Sequence, residues 1–169
     1  MQHWPHVGMR LVKTSLAVFL CFVVYLLRGE QGIPFYSAIA AILCMQREIK
    51  NSFSVAWNRV VGTLIGGFSG MGVLYLYWLF LWDKPAILWY LLVSLCIIPL
   101  IYLTMALHKG TAAYITCVVF LCITISHGMD MSPYRFAINR MIDTGIGILV
   151  SLAVNAALPH HEPEHNHLP

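Results

Sequence analysis

The nine residues NRVVGTLIG at positions 58–66 return as NRMIDTGIG at positions 139–147, and both copies open a long apolar segment. The asparagine, the arginine, the threonine, the isoleucine and the last glycine keep their places in the two copies. At the same spacing, Arg28 and Gly29 correspond to Lys109 and Gly110. An internal repeat in a strongly apolar chain predicts a duplicated membrane unit, an arrangement common among transporters.

The composition is typical of a membrane-embedded chain. Of the 169 residues, 59% are hydrophobic and 10% are charged, whereas soluble domains carry about 25% charged residues. We therefore predict an integral membrane protein. A net charge of +3 without a basic run argues against nucleic-acid binding.

The sequence also argues against an enzyme. It has no nucleophile–base pattern, no phosphate-binding loop and no HExxH motif, so we expect neither a cofactor nor a metal site. The five cysteines lie in apolar stretches without a CxxC pair. We interpret them as packing residues rather than as disulfides or metal ligands.

Six apolar segments predict an all-α fold of six transmembrane helices. The repeat groups them into two three-helix units, at about residues 10–82 and 87–158. Because three spans is an odd number, the second unit is expected to be inverted. Residues 1–9 are expected to be a cytoplasmic N-terminus, and residues 159–169 a disordered tail whose histidines are alternatively a metal-binding pattern. The apolar segments cover residues 11–27, 34–46, 60–82, 87–107, 111–126 and 138–158.

The second and fifth segments are shorter than the roughly 20 residues that cross a bilayer. Short segments at matching places in two repeats indicate a binding site at the repeat interface. Alternatively, the polar residues 46–52 continue the second helix into the interfacial region. Six lysines and arginines on the side of the N-terminus, against four on the other side, favour cytoplasmic termini.

Small residues form a ridge along both segments that open with the repeated motif. Such ridges let helix backbones approach closely in lipid, so we predict tight packing with Thr63 and Thr144 at its edge. The ridge residues are Gly62, Gly66 and Gly70 in the third segment and Asp143, Gly147 and Ser151 in the sixth.

Arg59 and Arg140 stand at the predicted start of these two helices, each after an asparagine. A helix N-terminus is already positive, so an arginine there favours a bound anion. Under inversion, the two arginines approach from opposite membrane faces. The alternative interpretation is snorkelling of both side chains to lipid headgroups.

Asp143 is the one acidic residue clearly inside a predicted span, and it lies three residues after Arg140. That spacing allows the two to pair on one helix face. An intramembrane carboxylate indicates a function, either in proton coupling or as a fixed counter-ion of Arg140. We favour the counter-ion role because Gly62 takes this position in the other copy.

Lys13, with Arg10 one turn earlier, adds positive charge near the predicted start of the first helix. Together with Arg59 it predicts a cationic vestibule suited to an organic anion. Ordinary positive-inside anchoring explains Arg10 and Lys13 equally well.

Several pieces of the chain, in this order, resemble the aromatic acid exporter family, which is related to the fusaric acid resistance proteins of bacteria. The pieces are GMRLVKT at 8–14, residues 38–46 ending in CMQ, Ser52 with the first repeated motif, and the second repeated motif with the residues up to Asn155. The resemblance implies a six-helix protein of the bacterial inner membrane that exports small aromatic carboxylates, using the proton gradient. Many relatives carry a cytoplasmic domain after the sixth helix, and larger ones contain two six-helix units. This short form is therefore expected to act as a homodimer.

The sequence as a whole predicts a transporter of organic anions in the lipid bilayer. Two other interpretations stay open: a non-transporting membrane module that needs a partner subunit, and a passive anion pore. The predicted substrate-binding residues are Lys13, Asn58, Arg59, Thr63, Asn139, Arg140, Thr144 and Asn155, with Asp143 as the coupling or counter-ion group.

Overall fold

The computed structural model describes residues 9–46, 49–80, 85–125 and 133–158, and regular structure within these ranges is helical throughout. The expected tail at 159–169 and nearly all of the expected N-terminal segment lie outside them. The helices are α1 (Met9–Leu27), α2 (Pro34–Cys44), α3 (Ile49–Phe80), α4 (Ala86–Ala106), α5 (Ala113–Ile125) and α6 (Pro133–Ala157), with a 3₁₀ turn at Gly110–Ala112 before α5.

Four helices are long and apolar enough to cross a membrane by length and composition: α1, Lys50–Phe80 within α3, α4, and Tyr134–Ala157 within α6. The other two, α2 and α5, are shorter apolar helices. With 11 residues, α2 is about 16 Å long, roughly half of the hydrocarbon thickness. The predictions of an all-α membrane protein and of short second and fifth segments are confirmed.

Two predicted helix starts are wrong. The third helix begins at Ile49, not near residue 60, and the sixth begins at Pro133, not near residue 138. The second helix ends at Cys44, so the polar residues from Lys50 onward belong to α3 and do not prolong α2. The polar turns before residue 60 contain neither proline nor glycine, so the helix extends back through them to Ile49. The apolar run marked only the part of α3 that is compatible with lipid.

Two pairs of packed helices run parallel to each other. Helices α2 and α6 run parallel, since Gly147 lies against Ser37 while Gln46, just past α2, meets Asn155 near the end of α6. Helices α3 and α5 also run parallel, because Gly66 and Gly70 meet successive turns of α5.

Helices α3 and α6 cross antiparallel through the middle of the bundle. Ser52, near the start of α3, bonds to Asn155, near the end of α6. Further along α3, Gly67 lies against Met141 in the first half of α6. Thr63 and Thr144 line one cavity between these two contacts.

The glycine ridges pack as predicted. A Cβ on Gly66 would overlap the carbonyl oxygen of Thr116, and a Cβ on Gly147 would overlap that of Ser37. Both helices therefore approach their neighbours at backbone distance, α3 against α5 and α6 against α2. These contacts hold the polar residues of α3 and α6 at fixed places in the interior.

The surface of the bundle is apolar and its interior is partly polar. Large hydrophobic side chains such as Leu27, Ile98 and Phe19 are 81%, 66% and 62% exposed. Such a surface is suited to lipid rather than water. The interior, in contrast, holds ionisable side chains that define the candidate site.

Candidate functional site

Seven of the nine predicted site residues are buried, and Asn58 and Asn139 are half-buried. The seven are Lys13, Arg59, Thr63, Arg140, Asp143, Thr144 and Asn155. Lys13 and Asn155 belong to one hydrogen-bonded cluster, and Asp143 belongs to a second one at the turn between α1 and α2. The two arginines and the two threonines lie along α3 and α6.

The Lys13 cluster (Lys13, Gln46, Ser52 and Asn155) lies where α1 and α3 begin and α2 and α6 end. The Lys13 ammonium group donates a hydrogen bond of 3.2 Å to the amide oxygen of Asn155. The Asn155 amide nitrogen donates to the Ser52 hydroxyl at 2.8 Å and to the Gln46 carbonyl at 3.1 Å. The Ser52 hydroxyl also accepts the Gln46 backbone N–H at 3.1 Å. Two predicted residues that are distant in sequence thus meet, and a buried amine is held here by a neutral amide.

The Asp143 cluster (Arg28, Gly32, Ile33 and Asp143) lies where α1 ends and α2 begins, against the middle of α6. One Arg28 guanidinium nitrogen approaches one oxygen of the Asp143 carboxylate at 2.6 Å. The backbone N–H of Ile33 donates to the other carboxylate oxygen at 2.8 Å. Asp143 is therefore a counter-ion whose direct partner is Arg28. A direct ion pair with Arg140 does not form, because the Asp143 side chain is directed towards the turn between α1 and α2, although its charge still acts on the Arg140 guanidinium.

The turn between α1 and α2 is shaped to bring these donors to Asp143. Gly32 adopts a positive φ of +90°, a conformation that L side chains rarely take. A Cβ at this position would also collide with both carboxylate oxygens of Asp143. Glycine is thus needed here for conformation and for space.

Arg140 is 4% exposed and lies against the aromatic ring of Tyr36. Its guanidinium carbon is 3.6 Å from the ring centroid, which is a close cation–π contact. One guanidinium nitrogen also donates to the Thr144 hydroxyl at 3.4 Å, and the Cys122 thiol lies beside the side chain. The Nε atom of Arg140 is buried without a hydrogen-bond partner.

Arg59 is 5% exposed and lies ten residues after the start of α3, so its predicted place at a helix N-terminus is wrong. Its electrostatic neighbours are Cys44, Tyr114 and the like-charged Arg140. Within the described residues, no ion pair reaches this guanidinium, and its Nε atom has no hydrogen-bond partner.

Thr63 and Thr144 occupy corresponding places at the crossing of α3 and α6. Together they line a cavity of about 80 Å³. Thr144 donates back to the Arg140 carbonyl at 2.9 Å, whereas the Thr63 hydroxyl is buried without a partner. The cavity exceeds the volume that one water needs, but it is well below the 300 Å³ or more of a typical small-molecule pocket.

The buried ionisable side chains carry a net positive charge. Among the described residues, the buried ionisable side chains of α1, α3 and α6 are three cations, Lys13, Arg59 and Arg140, and one carboxylate, Asp143. That carboxylate is already paired with Arg28, whose side chain is 24% exposed. Arg59 therefore has no anionic partner among the described residues, and Arg140 has only the nearby charge of Asp143, which is already paired with Arg28. Such an arrangement can receive a carboxylate through paired N–H donors.

The sequence interpretation missed the tyrosines beside the arginines. The usable signal is a second repeat: Tyr36 and Cys44 are separated by seven residues, as are Tyr114 and Cys122. The two copies of this second repeat are 78 residues apart, whereas the copies of the first motif are 81 residues apart. A comparison at the spacing of the first motif therefore does not align the tyrosines. Arg28 was noticed only as a match to Lys109, since nothing local links it to Asp143.

The family model described as fusaric acid resistance protein-like matches residues 16–154, which is most of the chain and includes both arginines. No curated protein matches the sequence. The chain therefore belongs to the fusaric acid resistance protein-like family of membrane transport proteins.

Proposed function

We propose that this protein exports small aromatic carboxylates, or other organic anions, across the bacterial inner membrane, and that the proton gradient drives the export. The observation that carries the proposal is the presence of two buried arginines, Arg59 and Arg140, neither of which forms an ion pair among the described residues. A carboxylate substrate supplies the missing charge.

The free energy of the buried charges supports an anionic ligand. An isolated charge in a low-dielectric interior is strongly unfavourable unless it is paired and hydrogen-bonded. Arg59 and Arg140 also repel each other, which adds to this cost. An anion between or beside them would replace a repulsion by two attractions, and a planar guanidinium group suits the planar carboxylate.

We further propose that the six helices form two inverted three-helix repeats around this site. The antiparallel crossing of α3 and α6 supports this arrangement because corresponding residues, Thr63 and Thr144, line the same cavity there. The neighbours of the arginines support it as well. Arg59 lies near a cysteine of α2 and a tyrosine of α5, and Arg140 lies near a cysteine of α5 and a tyrosine of α2.

The small cavity between α3 and α6 implies a moving part. A volume of about 80 Å³ is below that of ordinary ligand sites, so an aromatic acid enters only when neighbouring helices separate. The Lys13 cluster joins helices where α1 begins, and the Asp143 cluster joins them where α1 ends. They are the contacts that would open in turn during alternating access.

Asp143 has two roles to distinguish within this proposal. As a fixed counter-ion it keeps Arg28 in place. As a coupling group it would accept a proton, lose its attraction for Arg28 and release the turn between α1 and α2.

We also propose a homodimer with both termini in the cytoplasm, to be tested by intact-mass measurement and by labelling the termini from each face of the membrane.

The proposal is tested by transport in liposomes that contain the purified protein. Labelled 4-hydroxybenzoate is followed with and without an imposed pH gradient. The test variant carries Arg59→Ala and Arg140→Ala together. The matched control carries Lys50→Ala and Arg135→Ala, which remove two cations from the exposed surface. We expect gradient-driven flux in the wild type and in the control, and loss of flux in the test variant.

Other outcomes identify the alternatives. Flux that is retained without both buried arginines contradicts the proposed site. Flux that proceeds equally without a pH gradient indicates a passive anion pore. No flux of any aromatic acid through folded wild-type protein indicates a module that needs a partner subunit, which co-purification would then reveal.

A further inference from the structure

Two tyrosines, Tyr36 and Tyr114, stand in related positions beside the two arginines, yet their surroundings differ. Each precedes a cysteine by the same spacing, at Cys44 and Cys122. Tyr36 belongs to α2 and Tyr114 to the first turn of α5.

At Arg140 the aromatic position is filled. The Tyr36 ring lies 3.6 Å from the guanidinium carbon. It is held there by edge-to-face contacts with Phe35 and Phe136, whose ring centroids are 5.8 and 6.3 Å away. An arginine covered in this way has little room for a substrate ring.

At Arg59 the aromatic position is open. The start of α5 packs against α3 one turn past Arg59, because Gly62 lies against Ala112 and Ile115, which stand on either side of Tyr114 in the chain. The Tyr114 side chain itself is 71% exposed. The Nε atom of Arg59 is buried and unpartnered. Arg59 therefore has a free donor and a nearby aromatic ring that is not packed against it.

We propose, resting on the anion site proposed above, that Tyr114 is a specificity-determining residue that receives the aromatic ring of a carboxylate bound at Arg59. The carboxylate pairs with the guanidinium group, and the ring packs against the exposed face or edge of Tyr114. At Arg140 the Tyr36 ring already occupies the position beside the guanidinium group. At Arg59 the substrate ring would occupy the corresponding position and pack against Tyr114. Because the ring packs against Tyr114 while the carboxylate pairs with Arg59, the site prefers aromatic over aliphatic acids. Charge alone cannot provide this preference.

The test compares two carboxylates of equal charge, benzoate and acetate, by titration calorimetry on the full chain in detergent micelles. We expect Tyr114→Ala to lower the ratio of benzoate to acetate affinity about five- to tenfold, as the loss of one aromatic contact predicts. Tyr114→Phe, which keeps the ring, should leave the ratio within about twofold of the wild-type value. Tyr102→Ala is the matched control, because Tyr102 is 75% exposed on α4 and should leave the ratio unchanged.

Each result has a distinct meaning. An unchanged ratio in Tyr114→Ala, with binding that still depends on Arg59, overturns the role of Tyr114 and leaves the anion site intact. Equal loss of both acids in Tyr114→Ala also overturns it, since the residue would then act structurally. If wild-type protein binds neither acid, or if Arg59→Ala leaves acetate binding unchanged, the anion site itself fails and the role of Tyr114 fails with it.

Discussion

Replacing Gly147 by alanine should separate α6 from α2 and destabilise the bundle. The new Cβ would overlap the Ser37 carbonyl oxygen and come within 2.7 Å of the Ala40 Cβ. Carbon atoms in contact prefer about 3.5–4.0 Å, so the two helices must move apart by about 1 Å. The obstacle is backbone and a short side chain, which cannot rotate away.

The magnitude follows from two opposing terms. Overpacking of this kind costs about 1–3 kcal/mol, whereas alanine is favoured over glycine inside a helix by about 1 kcal/mol. Gly145→Ala isolates the second term, because a Cβ at Gly145 meets nothing within 4 Å. We therefore expect Gly147→Ala to be less stable than Gly145→Ala by about 1–3 kcal/mol.

The assay is unfolding of the purified variants in one detergent, followed by tryptophan fluorescence against temperature and against denaturing detergent. Gly145→Ala should unfold at or above the wild-type midpoint, and Gly147→Ala below it. If Gly147→Ala is as stable as Gly145→Ala, the close packing of α2 on α6 is refuted. The placement of Tyr36 beside Arg140 would then lose its structural basis.

Three further changes test the polar clusters. Asp143→Asn removes the charge that holds Arg28, so we expect a stability loss of about 1–3 kcal/mol in the same assay. Flux that persists in this variant without responding to a pH gradient would assign proton coupling to Asp143, and a normal pH response would confine it to the counter-ion role. Lys13→Met replaces a buried amine by an apolar side chain of similar length and should change stability by no more than about 1 kcal/mol, while carboxylate flux falls severalfold; unchanged flux would remove Lys13 from the site. Gly32→Ala should destabilise more than Gly29→Ala, because both glycines have a positive φ but only Gly32 faces a carboxylate, and equal effects would contradict that reasoning.

The sequence predicted those features that depend on local patterns. Apolar runs and glycine spacing identified the helices and the close packing at Gly66 and Gly147, because small residues four apart must share one helix face. The repeated motif identified Arg59 and Arg140 as residues of interest. All three inferences need only neighbouring positions or a direct copy of them.

Features that depend on partners far apart in sequence were not predictable in this way. Asp143 was assigned to Arg140, three residues away, while its partner Arg28 lies 115 residues away. Which arginine it meets depends on how α6 is rotated against the turn between α1 and α2, and the helical period alone does not fix that rotation. Helix starts were misplaced for a related reason, since hydrophobicity marks lipid contact and not the end of backbone hydrogen bonding.

The antiparallel contact between α3 and α6 bears on how such a protein arises. Because corresponding residues, Thr63 and Thr144, share the cavity at the crossing, each helix meets a close relative of its own sequence running in the opposite direction. A single three-helix ancestor would form the same contact with a second copy of itself, provided that the chain entered the membrane in both orientations. Dual insertion requires nearly balanced lysine and arginine on the two faces. If the proposed inverted repeat holds, a fusion of two such copies would keep this pairing within one chain.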